Sequence, residues 1–204
     1  MSGRHIVLTG MMGSGKTAVG ERLARRLGLP FSDADSLLEA EAGKRIADLF
    51  AGEGEAHFRT LERQLIARLL AEPPGVIATG GGAFIDPENR ARLKAGGTVV
   101  CLLADAETLE SRVAATAHRP LLQGADPPSR LRALLKARLP SYAEAHHLLD
   151  TSERTPDEVA DLLRQLLQSR EVPARQTVRV ALGDRSYDVL IGSGLIEEAG
   201  EQLR

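Results

Sequence analysis

Cysteine occurs once in the 204 residues, at Cys101, so no internal disulfide and no cysteine-based zinc site can form. Its apolar neighbours mark it as a small buried hydrophobe. Charge of one sign is also missing: the formal net charge is −2 and the sequence pI is about 6.2. That leaves no electrostatic footprint for nucleic acid or an anionic membrane, so any anion must be captured locally. Asn89 is the only asparagine, which excludes an Asn-Lys-x-Asp guanine-reading motif. No apolar run approaches membrane-spanning length and no signal-peptide pattern precedes the first strand, so the expected compartment is the cytoplasm. Hydrophobic residues make up 43% of the chain, enough for one globular domain with a modest appendage.

The residues from Gly10 to Thr17, Gly-Met-Met-Gly-Ser-Gly-Lys-Thr, fit G-x-x-x-x-G-K-[ST]. Glycines let successive backbone N–H groups turn toward phosphate oxygens, Lys16 reaches the β- and γ-phosphates, and the Thr17 hydroxyl suits Mg²⁺. A helix starting there would direct its positive end at the phosphates. The flanks supply the required context. Residues 4–9 read as a buried strand, while Val19, Leu23 and Leu27 make an apolar helical stripe stopped by Gly28 and Pro30. A plain glycine turn would leave Lys16 and Thr17 unexplained.

A short strand at Phe31-Ser32 leads into Asp33-Ala34-Asp35. In extended chain both carboxylates would point to the sheet edge where ligands bind, although Asp35 or Ser36 could instead cap a helix. Helical patterns follow over 36–41 and around Ile46, Leu49 and Phe50, with a break expected at Gly52-Glu53-Gly54. From Glu55 to Ala71, Phe58, Leu61, Leu65 and Leu69 face inward. Arg59 and Glu62, at i and i+3, can pair, which alone would be a weak solvated ion pair. The strand 75–79 ends in Gly80-Gly81-Gly82, more glycine than a turn needs, which suggests close approach of a ligand to backbone. Asp86-Pro87 opens a helix, 98–103 is an apolar strand, and a helix from Ala106 carries Arg112 near its end. Residues 118–128 read as a closing loop carrying Arg119. A helix from Ser129 is expected to bend or end at Pro140, 147–150 is a fifth strand, and Thr155-Pro156-Asp157-Glu158 is a capping box. Strands alternating with helices in this way indicate a parallel sheet covered on both faces.

The phosphate loop, the aspartate pair, Phe-Arg-x-x-Glu, the triple glycine and Arg119-Pro-Leu-Leu arrive in the order that makes residues 1–170 resemble shikimate kinase. The resemblance implies a P-loop kinase fold with a five-stranded parallel sheet and a mobile lid. It also implies Mg-ATP-dependent phosphorylation of the shikimate 3-hydroxyl in chorismate biosynthesis. On it, Lys16, Asp35 and Arg119 are the catalytic group, with Asp35 the candidate base. ATP contacts are implied at Gly13, Ser14, Gly15, Lys16, Thr17, Ala18 and Arg119, with Arg112 and Pro156 against adenine. Asp35, Arg59, Glu62, Gly80, Gly81, Gly82 and Arg138 are the implied shikimate site, Glu62 holding Arg59, while Thr17 and Asp33 would hold magnesium. The kinase domain is expected to be monomeric, with no nucleic-acid or membrane partner. Charge neutralisation and positioning are what phosphoryl transfer requires, and two arginines suit a carboxylate substrate.

Beyond Val172 the pattern changes. Residues 177–182 and 185–191 alternate around Gly183-Asp184, which reads as a β-hairpin, and Gly192-Ser-Gly194 begins a helix. Leu-Gly-Asp-Arg-Ser-Tyr followed by Ile-Gly-Ser-Gly-Leu resembles the opening of 3-dehydroquinate synthase over about residues 174–204. The expectation is a kinase domain over 1–170 and, over 171–204, a linker and truncated start of that second enzyme, as in a bifunctional fusion. Two rival functions stand beside it: another small-molecule kinase on the same scaffold, and a nucleotide-binding switch.

Overall fold

A computed structural model describes residues 3–114, 127–168, 176–180 and 187–191. The chain divides into two compact units, Met1–Leu162 and Leu163–Arg204. The first is organised by a five-stranded sheet in the order β2-β3-β1-β4-β5. Its strands are β1 (His5–Thr9), β2 (Phe31–Asp33), β3 (Val76–Ala78), β4 (Gly97–Leu103) and β5 (His147–Asp150), and every neighbouring pair is parallel. Central β1 is buried along its whole length, as a strand covered on both faces must be.

The helices α1 (Lys16–Leu27), α2 (Ala34–Ala42), α3 (Ile46–Ala71), α4 (Pro87–Gly96), α5 (Ala106–Ala114), α6 (Pro127–Tyr142) and α7 (Pro156–Gln168) connect and follow these strands. Two apolar clusters form the core. One gathers Val7, Val99 and Cys101 with Phe84, Leu93, Leu109, Leu131 and Tyr142. The other gathers Leu38, Leu49, Phe58, Leu65, Leu69 and Ile77. Burial is worth roughly 1.5–3 kcal/mol for each large apolar side chain. It also raises the Cys101 thiol to about 12, leaving it an inert part of the core.

Local signals set the element ends. Asp86 caps α4 by accepting from Glu88 N and Asn89 N, with Pro87 in the first turn. Thr155 and Glu158 bond reciprocally in a capping box at the start of α7. Three expectations need correction. The break at Gly52-Glu53-Gly54 narrows to a kink: Gly52 is helical within α3, and only Gly54 departs, at φ 82 and ψ 165. Pro140 does not end α6, which runs on to Tyr142. Finally, β2 stops at Asp33 and α2 begins at Ala34, so Asp33 and Asp35 are not two residues of one extended segment.

In the second unit, β6 (Gln176–Val180) and β7 (Tyr187–Ile191) pair antiparallel, with Val178 opposite Val189. The turn expected at Gly183-Asp184 and the helix expected from Gly192 lie outside the described residues. Among the described residues, no helix is long and apolar enough to cross a membrane.

Candidate active site

The first half of the site is the connection from β1 to α1, at the C-terminal edge of the sheet where open α/β folds bind ligands. Gly15 is the N-cap of α1 and offers no side-chain cap, so the first-turn N–H groups have no intrahelical partner and suit an anion. Lys16 Nζ donates to Gly10 O at 3.0 Å and to Met11 O at 2.9 Å, folding back over the loop that contains Gly13 and Ser14. Ala18 lies in the first turn, where its carbonyl accepts from Arg22. Thr17 Oγ1 donates to Asp33 Oδ2 at 2.6 Å, while Asp33 Oδ1 accepts from Ser36 N at 3.1 Å. Asp33 is therefore the cap of α2, a role the sequence left open to Asp35 or Ser36, and it also faces Thr17. The hydroxyl and carboxylate form a small hard-oxygen pair of the kind Mg²⁺ uses beside phosphates and water.

Arg112, in the last turn of α5, donates to Thr151 O at 2.8 Å, Ser152 O at 3.2 Å and Gly13 O at 3.4 Å. It thus ties the phosphate loop to the segment leading into Pro156. Thr151, buried and bonded through Oγ1 to Leu103 O at 2.9 Å, belongs to this join but carried no sequence signal. Arg119 lies outside the described residues.

The second half converges on the triple glycine. A Cβ at position 80 would stand 2.5 Å from Asp35 Oδ1 and 3.3 Å from Glu62 Oε1. One at position 82 would stand 2.7 Å from Arg59 Nη2. At 81 it would meet Arg138 Nη1 and Gly10 O, each at 3.3 Å. The glycines are thus a floor without side chains on which Asp35, Glu62, Arg59 and Arg138 meet, next to the phosphate loop. Those four candidates come from α2, α3 and α6, far apart in sequence.

Arg59 donates to Glu62 at 2.8 Å and to Glu55 at 3.0 Å. The pair with Glu62 is not a solvated one: Glu62 is only 3% exposed. Burial pushes the Glu62 carboxyl above its usual range, with the Asp35 charge adding to the rise, while Arg59 pulls it back. Burial also works against the Arg59 charge, but Glu62 and Glu55 outweigh it and hold Arg59 high. Glu55 was missed in the sequence, although its i,i+4 spacing to Arg59 is a recognisable signal.

Arg138 is 9% exposed. Its Nη1 donates to Gly81 O at 3.2 Å and lies 3.6 Å from Met11 Sδ. Among the described residues it has no carboxylate partner. Tyr142 Oη also donates to Gly81 O, at 2.7 Å. Sequence reading missed Tyr142 because it lies beyond a proline expected to interrupt the helix.

A shikimate kinase family model matches residues 12–168. A shikimate kinase of Paramagnetospirillum magneticum is 53% identical over 155 residues, 76% of this chain and 80% of the relative. One from Symbiobacterium thermophilum is 50% identical over 171 residues, 82% and 98% of the respective chains. Among solved structures, shikimate kinase from Acinetobacter baumannii in complex with shikimate superposes with TM-score 0.81 at 40% identity, covering 84% of this chain and 96% of that one. With a phosphate loop, a five-stranded parallel sheet and these relatives over most of its length, the chain belongs to the shikimate kinase family, ATP-dependent phosphotransferases of the shikimate pathway.

Proposed function

We propose that the protein transfers the γ-phosphoryl group of ATP to the 3-hydroxyl of shikimate, giving shikimate 3-phosphate and ADP. The observation that carries this reading is Arg138, a nearly buried guanidinium without a carboxylate partner among the described residues. An uncompensated buried cation is costly, and an anionic ligand relieves that cost. Shikimate supplies a carboxylate, and Arg59, held by Glu62, supplies a second donor. The solved relative in complex with shikimate supports this substrate.

Lys16 and the first turn of α1 bind the phosphates, with Gly13, Ser14, Gly15 and Ala18 around them, while Arg112 and Pro156 flank adenine. Asp35, across Gly80 from Glu62, orients the acceptor hydroxyl and takes its proton as the bond to phosphorus forms. Thr17 and Asp33 would hold Mg²⁺, which would supply charge neutralisation for the transferring phosphoryl group. Arg119 contributes a further cation to the transferring phosphoryl group. The kinase domain spans residues 1–170 and acts as a monomer.

The test is the product. Incubation with Mg-ATP and shikimate, followed by ³¹P–¹H correlation NMR, must put the phosphoryl group on O3; phosphorylation of another hydroxyl or none would refute the assignment.

For residues 171–204 the reading is a linker and the opening of a 3-dehydroquinate synthase-like domain, carried as a hairpin extension of a bifunctional protein. Its support is the residue pattern at 174–204 together with the end of the family match at residue 168. A coding frame that continues into a full synthase would bear this out, and one that continues into an unrelated domain would refute it.

A further inference from the structure

The carbonyls of the triple glycine are satisfied in two different ways. Gly80 O accepts from Ala83 N at 3.1 Å and Gly82 O accepts from Ile85 N at 3.0 Å, both inside the turn. Gly81 O instead takes its bonds from side chains, Tyr142 Oη at 2.7 Å and Arg138 Nη1 at 3.2 Å. A carbonyl has two lone pairs, so both donors can be accommodated. Three consecutive glycines are the most permissive backbone a chain can have, and their local turn bonds leave the central carbonyl without a backbone partner.

Tyr142 is fully buried within the apolar cluster that includes Phe84, Leu131 and Met11, so packing holds its ring on all sides. Burial raises its hydroxyl to about 12, keeping it a donor at every physiological pH. It also lies four residues after Arg138 on α6, which puts phenol and guanidinium on one face.

From this geometry we propose that Tyr142 is a positioning residue for the substrate: its hydroxyl fixes the Gly81 carbonyl, and that carbonyl aims the Arg138 guanidinium at the substrate carboxylate. The inference rests on the reading of Arg138 as a carboxylate contact. Arginine has many rotamers, and an anchored guanidinium loses less freedom on binding. Without the phenol, Gly81 O keeps only its bond from Arg138 and is itself less firmly fixed, so the arginine is presented less uniformly.

The test is steady-state kinetics of Tyr142→Phe, Arg138→Lys and the double variant, each with a thermal melt. Tyr142→Phe should raise the shikimate KM about 3- to 10-fold while the ATP KM and kcat stay within about twofold, the effect of one hydrogen bond spent on ground-state binding. In the Arg138→Lys background the same change should have little further effect, because tyrosine acts through the arginine. A wild-type shikimate KM in Tyr142→Phe, equal rises in both KM values, or full additivity in the double variant overturns the proposal. A wild-type shikimate KM in Arg138→Lys removes the reading beneath it, and the proposal falls with that reading.

Should Tyr142→Phe not fold, Tyr187→Phe makes Tyr142 the sole strong emitter in a chain without tryptophan. Shikimate must then change that emission in the Arg138 protein and change it less in Arg138→Lys. An identical response in both would refute the link.

Discussion

Two carboxylates near Gly80 carry separate consequences. Asp35 is the proposed proton acceptor, so Asp35→Asn should lower kcat by about 10²- to 10⁴-fold with the ATP dissociation constant nearly unchanged. Isothermal titration with a non-hydrolysable ATP analogue, set beside turnover, checks this; near-normal turnover contradicts the role. Glu62 holds Arg59 from a buried position, and burial lifts its carboxyl above the ordinary 4.5. A raised carboxyl favours the fold when protonated, and that contribution is lost as pH rises through the folded value. Function runs the other way, since protonated Glu62 no longer grips Arg59. The shikimate KM should therefore rise on acidification sooner than an exposed glutamate would dictate. Glu62→Gln should raise KM at neutral pH and flatten that acid limb. A profile identical to the parent's would show that Glu62 does not set Arg59.

At the scale of elements, the kink in α3 separates the turns carrying Glu53 from those carrying Glu55, Arg59 and Glu62. Gly54 sits at φ 82 and ψ 165, a region in which a Cβ costs on the order of 1–3 kcal/mol. Gly54→Ala should lower the melting temperature and raise the shikimate KM more than the ATP KM, because the strained turn leads directly into Arg59. Equal effects on both substrates would place the kink outside the substrate site. The same helix shows what sequence could and could not give. The phosphate loop was legible because one contiguous pattern sits between a strand and a helix. Arg59 and Glu62 were legible as a pair, but not as a buried one: burial comes from packing over the triple glycine, which no local period encodes. The Asp33 cap was not legible because strand and helix meet there without a spacer residue. Tyr142 was hidden because Pro140 suggested an interruption, whereas α6 runs through it and keeps Arg138 and Tyr142 on one face.

For the whole molecule, residues 12–168 match the kinase family, and the first compact unit ends at Leu162, inside α7. A fragment of residues 1–170, retaining all of α7, should keep the kcat and both KM values of the full chain within about twofold, because the proposed groups all lie before that point. A large loss in the purified, folded fragment would make the C-terminal segment part of the kinase. Alternation of strand and helix was enough to give the parallel sheet, since a crossover helix must follow each parallel strand. The strand order was not readable, because pairing partners are set by contacts between distant segments. Shikimate is the proposed phosphoryl acceptor, and the decisive measurement is ADP release with Mg-ATP in the presence of shikimate, quinate, gluconate or no acceptor. Shikimate alone should accelerate release by a large factor. Release that is equally fast without an acceptor, or faster with gluconate than with shikimate, would contradict it.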